Sequence, residues 1–281
     1  MSFVEDALKF HAEHNGMLAV ASKVPLNNRE DLALAYTPGV AEPCKAIKEN
    51  KELSFEYTCR GNTVAIVSDG TRVLGLGDIG PEAAMPVMEG KAVLFKTFGD
   101  VDAIPICIDT KDPEEIIETV RRLQPAFAGI NLEDFSSPKC YEIEDRLREI
   151  CDIPVFHDDQ HGTAIACLSA VMGALRYVKK DIKDVKVVVN GCGAAGSAIG
   201  RLFVSMGFPN VIMVERVGAL YKGIDAKLDK IQRYLSEVTN PNMEKGTLAE
   251  VAKGADILVG VSGPNLFTKE IIASMAGKAI V

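Results

Sequence analysis

The chain has 281 residues, of which 47% are hydrophobic, a formal net charge of -8 and seven cysteines. This length predicts two domains. The acidic balance, without a Lys/Arg-rich run, disfavours electrostatic binding to nucleic acid or to acidic membrane surfaces. Seven cysteines without a CxxC pair indicate reduced thiols rather than a zinc or dithiol site. Because the amino terminus lacks an apolar signal-peptide core and no run reaches transmembrane length, we expect a cytoplasmic protein.

The amino-terminal part offers a tyrosine and an arginine as candidates. Residues 4–14 have the apolar spacing of a short amphipathic helix that ends before Gly16. Tyr36 stands directly before Thr-Pro-Gly, a turn signal that holds a phenol at a chain reversal, although an ordinary half-buried loop tyrosine explains it as well. Arg72 is either a surface charge or a fork for a substrate carboxylate.

Residues 63–79 contain two apolar runs separated by Asp-Gly-Thr, which predicts a β-hairpin. The next stretch is rich in Gly and Pro and predicts an irregular connection that delivers Lys91 to the start of another apolar run. Lys91 is then a solvated strand-end charge, or a base if it lies beside a metal-loaded carboxylate site.

Strands and helices then alternate. Residues 102–110 read as a strand, the segment from Asp112 as a capped helix, residues 126–132 as a strand, residues 137–150 as a helix, and residues 153–157 as another strand. This order predicts an α/β fold with a parallel sheet, because a right-handed crossover makes consecutive strands parallel.

Two of these strands end in adjacent carboxylates, Glu133 and Asp134 after one and Asp158 and Asp159 after the other. In a parallel sheet both pairs emerge at one edge, where ligands bind. Four acids in one crevice repel each other unless a cation is present, and oxygen ligands favour Mg²⁺ or Mn²⁺. The alternatives are solvated strand ends or helix caps, and zinc bound by His157 and His161.

A dinucleotide site is predicted farther along the chain. After an apolar helix at residues 162–180, a strand leads into Gly-x-Gly-x-x-Gly, a helix and a second strand that ends at Glu215. The glycines permit close approach to a pyrophosphate, and the acid would bond the adenosine ribose. Arg216, the next residue, leaves NAD and NADP both open. A later strand ends at Ser262, which would approach the nicotinamide half.

Five motifs occur in the chain in the following order: AYTPGV, RVLGLGDIG followed by EGK, INLEDF, FHDDQHGT and the dinucleotide fingerprint. Together they resemble the malic enzyme family in its shorter bacterial or archaeal form. The resemblance implies an amino-terminal α/β substrate and metal domain at residues 1–160 and a Rossmann-type NAD(P)-binding domain at residues 161–281. It also implies oxidative decarboxylation of (S)-malate to pyruvate and CO₂ with NAD or NADP and with Mg²⁺ or Mn²⁺.

The resemblance assigns roles to residues that match the motifs. It implies that Tyr36 is the general acid, Lys91 the general base assisted by Asp158, and Arg72 the group that binds the substrate carboxylate. The implied metal ligands are Glu133, Asp134 and Asp159. The implied cofactor-binding residues are Gly191, Gly193, Ala194, Ala195, Gly196, Glu215 and Ser262.

The family's chain continues past the position of Val281 into a segment with an Asn-Pro motif and a later asparagine. We therefore expect a truncated chain whose Rossmann-type domain is incomplete, and an alternative function as a catalytically incomplete dinucleotide-binding module. A metal-independent dehydrogenase with Lys91 as base is a third hypothesis, against which the acid pairs argue. The family resemblance also implies a homodimer or larger homo-oligomer.

Overall fold

The computed structural model describes residues 2–281. The chain forms two compact units, one made of the chain up to Phe135 with Ile143–Phe156, the other of Ser136–Glu142 with His157–Val281. The α/β class is as predicted, whereas a domain boundary at residue 160 stays a prediction. Among the described residues, no helix has both the length and the apolar character needed to cross a membrane.

The elements up to the end of the first sheet alternate between helices and strands. In chain order they are α1 (Phe3–His14), α2 (Arg29–Ala35), α3 (Ala41–Glu49), α4 (Ser54–Tyr57), β1 (Thr63–Ser68), α5 (Pro81–Gly99), β2 (Asp102–Cys107), α6 (Pro113–Leu123), β3 (Gly129–Leu132), α7 (Lys139–Ile150) and β4 (Val155–His157). Short 3₁₀ turns cover Lys51–Leu53, Cys59–Asn62 and Gln124–Ala126.

The first sheet has the strand order β2-β1-β3-β4. Strand β1 pairs in parallel with β2, from Thr63 opposite Asp102, and in parallel with β3, from Val64 opposite Gly129. The strands are rich in β-branched residues, and β1 and β3 are almost wholly buried, as strands covered on both faces must be. The predicted alternation of residues 102–157 is confirmed, and the strands that precede the two acid pairs are neighbours.

The predicted hairpin at residues 63–79 is wrong. Strand β1 forms, but the second run makes only an isolated bridge between Val73 and Gly77. Gly75, Gly77 and Gly80 have φ of 80°, 80° and 81°, a region that a regular strand does not use.

The predicted irregular connection before Lys91 is also wrong, because Pro81 begins helix α5 and Lys91 lies inside it. Its buried residues Ala84, Met88 and Ala92 recur every four positions, and Met88 and Ala92 join a buried cluster with Ile66 of β1 and Ala103 of β2. This apolar stripe accounts for the helix despite Pro86 within it.

The second sheet and its helices follow. They are α8 (Asp158–Val178), β5 (Lys186–Asn190), α9 (Ala194–Ser205), β6 (Asn210–Glu215), β7 (Gly218–Ala219), α10 (Lys230–Val238), α11 (Leu248–Val251), β8 (Ile257–Gly260) and α12 (Lys269–Ala273), with a 3₁₀ turn at Ile182–Asp184. Strand β5 lies at the centre of the order β7-β6-β5-β8 and pairs in parallel with β6 and β8.

Helix α8 packs against α9 and the second sheet through one face. Ala164, Val171 and Leu175 are buried in a core that includes Val187 of β5 and Phe203 of α9. Ile165, on the same helix, is exposed.

Candidate active site and dinucleotide site

Glu133 and Asp134 follow β3 directly, and backbone bonds hold both in place. The Glu133 N–H donates to the Val67 carbonyl at 2.9 Å, and the Asp134 carbonyl accepts from the Arg72 N–H at 2.9 Å. Asp134 has a φ of 59°, in the left-handed region. Because this conformation ends the strand geometry, the two side chains need not point to opposite faces.

Three of the four predicted acids come together at the carboxyl ends of β3 and β4. Glu133, Asp134 and Asp159 each offer a carboxylate oxygen, and these oxygens lie within 4.8 Å of one another. Oxygens bound to Mg²⁺ at about 2.1 Å stand at most about 4.2 Å apart. The three oxygens therefore fit one hard divalent cation after a small movement of the side chains toward one another. Within the described residues no histidine belongs to this group, which disfavours zinc.

Asp158, the fourth acid, is not a member of that group. It is the first residue of α8, and its side chain lies over Gly162, where an added Cβ would come within 1.9 Å of Oδ1. Both Asp158 and Asp159 occupy the first turn of α8, where the helix dipole stabilises carboxylates even without a cation. The alternative prediction, that these acids stand at the start of a helix, therefore has a physical basis of its own. It describes the position of Asp158.

Lys91 reaches the acid group from α5. Its Nζ lies 3.0 Å from Oε1 of Glu133, and both side chains are largely removed from solvent. The Asn131 amide donates to the other oxygen, Oε2, at 2.8 Å. Lys91 is therefore not a solvated strand-end charge. Its ammonium balances one carboxylate of a group that would otherwise repel itself.

The side chains of Arg72 and Tyr36 are more exposed than that of Lys91. The Arg72 side chain is exposed, but its backbone bond to Asp134 places it next to the acid group. Tyr36 is the C-cap residue of α2, and 68% of its surface is exposed. Its role as an acid stays a prediction.

The three glycines of the fingerprint meet different steric demands between β5 and α9. Gly191 has a φ of 115°, which favours glycine. A Cβ on Gly196 would lie 1.8 Å from the Gly191 carbonyl oxygen, so only glycine lets the helix approach the strand. A Cβ on Gly193 would meet nothing within 4 Å, which leaves open space at the N-terminus of α9. Such a terminus, which includes Ala194 and Ala195, favours a phosphate.

Glu215 and Ser262 border the same turn. Glu215 ends β6, and its Oε2 accepts the Cys192 N–H at 3.2 Å while Oε1 accepts the Arg216 N–H at 3.0 Å. Ser262 Oγ accepts from the Asn190 amide at 2.8 Å. The residues that we predicted for cofactor binding thus lie in or beside one turn at the carboxyl end of β5, as a dinucleotide site requires.

Two family profiles match the chain, one in the region of the acid group and Lys91 and the other in the region of the dinucleotide turn. The profile described as "Malic enzyme, N-terminal domain" matches residues 15–148, and that described as "Malic enzyme, NAD binding domain" matches residues 160–279. The chain belongs to the malic enzyme family.

Among relatives in this family, the NAD-dependent malic enzyme of Geobacillus stearothermophilus is 52% identical over 95% of the chain. The NADP-dependent malic enzyme of Escherichia coli is 46% identical over 97%. The chain spans 55% of the first relative's length and 36% of the second's. The structure of NAD-dependent malic enzyme from Thermotoga maritima has a TM-score of 0.95 and 47% identity, covering 98% of this chain and 74% of that one.

Sequence reasoning missed two buried amides at the site, Asn131 and Gln160. Asn131 lies inside β3 and bonds Glu133, and Gln160 lies in the first turn of α8. A polar residue inside an apolar strand such as AGINL was a usable signal, because buried polar groups need partners. Gln160 had no such signal, since it stands among other polar residues.

Proposed function

We propose that the chain provides the substrate, metal and dinucleotide sites of an enzyme that oxidatively decarboxylates (S)-malate to pyruvate and CO₂, with reduction of NAD or NADP. The observation that supports it best is the group of Glu133, Asp134 and Asp159 with Lys91 bound to Glu133. Oxidation of a hydroxyl needs a base beside the Lewis acid, and Lys91 lies against the acid group that would hold that ion.

Each proposed residue acts on a definite atom. Lys91 Nζ, in its neutral form, accepts the proton of the malate C2 hydroxyl, and Asp158 assists the lysine. The Arg72 guanidinium pairs with a substrate carboxylate. Tyr36 donates its phenolic proton to C3 after CO₂ has left. Glu133, Asp134 and Asp159 would hold Mg²⁺ or Mn²⁺, which when bound polarises the C2 oxygen. NAD or NADP, which the glycine turn between β5 and α9 would hold, would supply the acceptor for the C2 hydride.

The test is NAD(P)H formation from malate with Mn²⁺ and with a chelator, in the parental protein and in Lys91→Ala. We expect turnover only with metal, and a loss of at least about 100-fold in kcat in Lys91→Ala, the scale of general-base catalysis. Cofactor affinity should stay near the parental value, because Lys91 lies in α5 and not at the glycine turn.

Lys96→Ala is the matched control. Lys96 lies on the same helix and pairs with Asp100 and Asp102, so its loss should leave turnover unchanged. Metal-independent turnover would contradict the proposed role of the acid group. A Lys91→Ala protein that oxidises malate at the parental rate would remove Lys91 from the role of base.

We also propose a cytoplasmic homodimer or larger homo-oligomer. Helices α1, α2 and α3 contain no buried residue, and Phe3, Leu8 and Leu34 are among their exposed apolar side chains. A second copy that covers such a surface would remove it from water. Light scattering should give a mass above one chain. Leu8→Asp with Leu34→Asp should lower it, and a monomeric parental protein would contradict the proposal.

A further inference from the structure

Three hydrogen bonds join helix α9 to Asp159. Arg201 Nη2 donates to Gln160 Oε1 at 3.1 Å, Gln160 Nε2 lies 2.9 Å from His157 Nδ1, and His157 Nε2 lies 3.1 Å from Asp159 Oδ2. His157 has 0% of its surface exposed and Gln160 has 1%. Water therefore does not reach the His157 ring or the Gln160 amide, and the protein determines which of their atoms donate and which accept.

The direction of each bond follows from Arg201. A guanidinium only donates, so the Gln160 oxygen must face Arg201 and its amide N–H₂ must face His157. His157 Nδ1 then has to accept, which leaves the ring proton on Nε2. The Nε2–H donates to Asp159 Oδ2, whose carboxylate only accepts. An arginine on α9 thus selects the tautomer of a histidine that precedes α8.

We propose that Arg201, Gln160 and His157 are positioning residues that fix the rotation of the Asp159 carboxylate for a divalent cation. The inference rests on the proposed metal function. Second-layer hydrogen bonds of this kind orient ligands, and their loss typically lowers metal affinity by about 10–100-fold. Since Arg201 lies on the helix that begins at the glycine turn, the helix of the dinucleotide site orients a metal ligand.

The first experiment reads the tautomer without any metal. Nitrogen NMR of labelled protein reports the proton on each ring nitrogen, and the chain has only four histidines, so a His157→Gln variant identifies the signal. We expect Nε2 protonated and Nδ1 unprotonated. In Gln160→Glu the new carboxylate only accepts, so the ring proton should move from Nε2 to Nδ1, and the donor to Asp159 is then lost. A parental His157 with its proton on Nδ1 would overturn the inference.

The matched control is Gln232→Glu. Gln232 uses its side-chain oxygen only as an acceptor, for the Asp229 N–H, a bond that a carboxylate keeps. This variant should leave the His157 signals unchanged. A change equal to that of Gln160→Glu would show a general effect of the added charge and would overturn the inference.

The second experiment measures Mn²⁺ binding directly, by electron paramagnetic resonance of the protein without substrate. Gln160→Glu and Arg201→Leu should each weaken binding by about 10–100-fold. Gln232→Glu and Arg233→Leu, an exposed arginine on α10, should bind as the parental protein does. Circular dichroism checks the fold of each variant, and the parental tautomer remains decisive if Arg201→Leu does not fold.

The outcomes separate the two proposals. A parental protein that binds no Mn²⁺ refutes the metal site itself, and with it the purpose assigned to these bonds, whatever the tautomer. A parental protein that binds Mn²⁺ while Gln160→Glu binds it equally well refutes only the positioning role.

Discussion

The backbone of Asp134 explains how two consecutive side chains contribute to one acid group. A left-handed conformation costs most L residues about 1–2 kcal/mol, but aspartate adopts it more readily than bulkier residues. The Asp134 carbonyl, bonded to the Arg72 N–H, holds the turn in place. Asp134 is thus both a proposed metal ligand and the residue whose carbonyl holds the backbone of the candidate substrate-binding Arg72.

Cys192 illustrates how position within the glycine turn controls reactivity. Burial raises the pKa of its thiol, and the nearby Glu215 carboxylate raises it further. The thiolate is the reactive form, so a raised pKa keeps Cys192 unreactive through the neutral and mildly alkaline range. Cys44 and Cys59 are exposed.

We therefore expect iodoacetamide at pH 8 to alkylate Cys59, which lies outside helices α1 to α3, in the folded protein and to spare Cys192. Mass spectrometry of the digested protein measures the modified fraction of each cysteine. In denaturant all seven cysteines should react, which is the control. Modification of Cys192 at the rate of Cys59 would show that the turn is not packed as described.

Helix α6 shows how local sequence signals stabilise an element. Asp112 Oδ1 accepts the N–H groups of Glu114 and Glu115 at 2.8 and 3.3 Å, and Pro113 occupies the first helical position. The helix buries Ile116, Ile117 and Val120. The cap satisfies two backbone donors that would otherwise lack helical partners.

Removing this cap should be measurable. Asp112→Ala is expected to lower the free energy of unfolding by about 1 kcal/mol, the usual contribution of an N-cap side chain. Urea denaturation gives the difference. Asp109→Ala, at an exposed position three residues earlier, should change it by less than about 0.5 kcal/mol. Equal losses in the two variants would contradict the capping role.

At the scale of the whole molecule, cation binding should stabilise the folded state. A ligand that binds only the native form adds about 2.7 kcal/mol at a concentration of 100 times its Kd. The acid group is the proposed site in the folded chain, and the unfolded chain does not keep its three carboxylates together.

Mn²⁺ should therefore raise the melting temperature of the parental protein, and EDTA should reverse the change. Asp159→Asn should lose most of this shift, because it removes one of three proposed ligands. Asp145→Asn, at an exposed position of α7, should keep it. Calorimetry measures all three proteins, and an equal shift in Asp159→Asn would argue against this residue as a ligand.

The sequence by itself determined the features that depend on local patterns. Runs of β-branched residues, caps such as Asp112 and the spacing of Gly191, Gly193 and Gly196 define strands, helix starts and the dinucleotide turn through contacts within a few residues. The acid pairs were identifiable because parallel strands end at one edge. The family motifs lay in the same stretches and identified the family, while the roles of individual residues stay predictions.

Only the tertiary structure decided which side chains meet. It separated Asp158 from the other three acids. It also placed Lys91 in helix α5, although the Pro and Gly residues of that segment disfavour a helix locally. Burial of Ala84, Met88 and Ala92 accounts for that helix, since tertiary packing outweighs intrinsic propensity. The bonds from Arg201 to Asp159 span 42 residues, and no local rule specifies them, because they depend on α8 packing against α9.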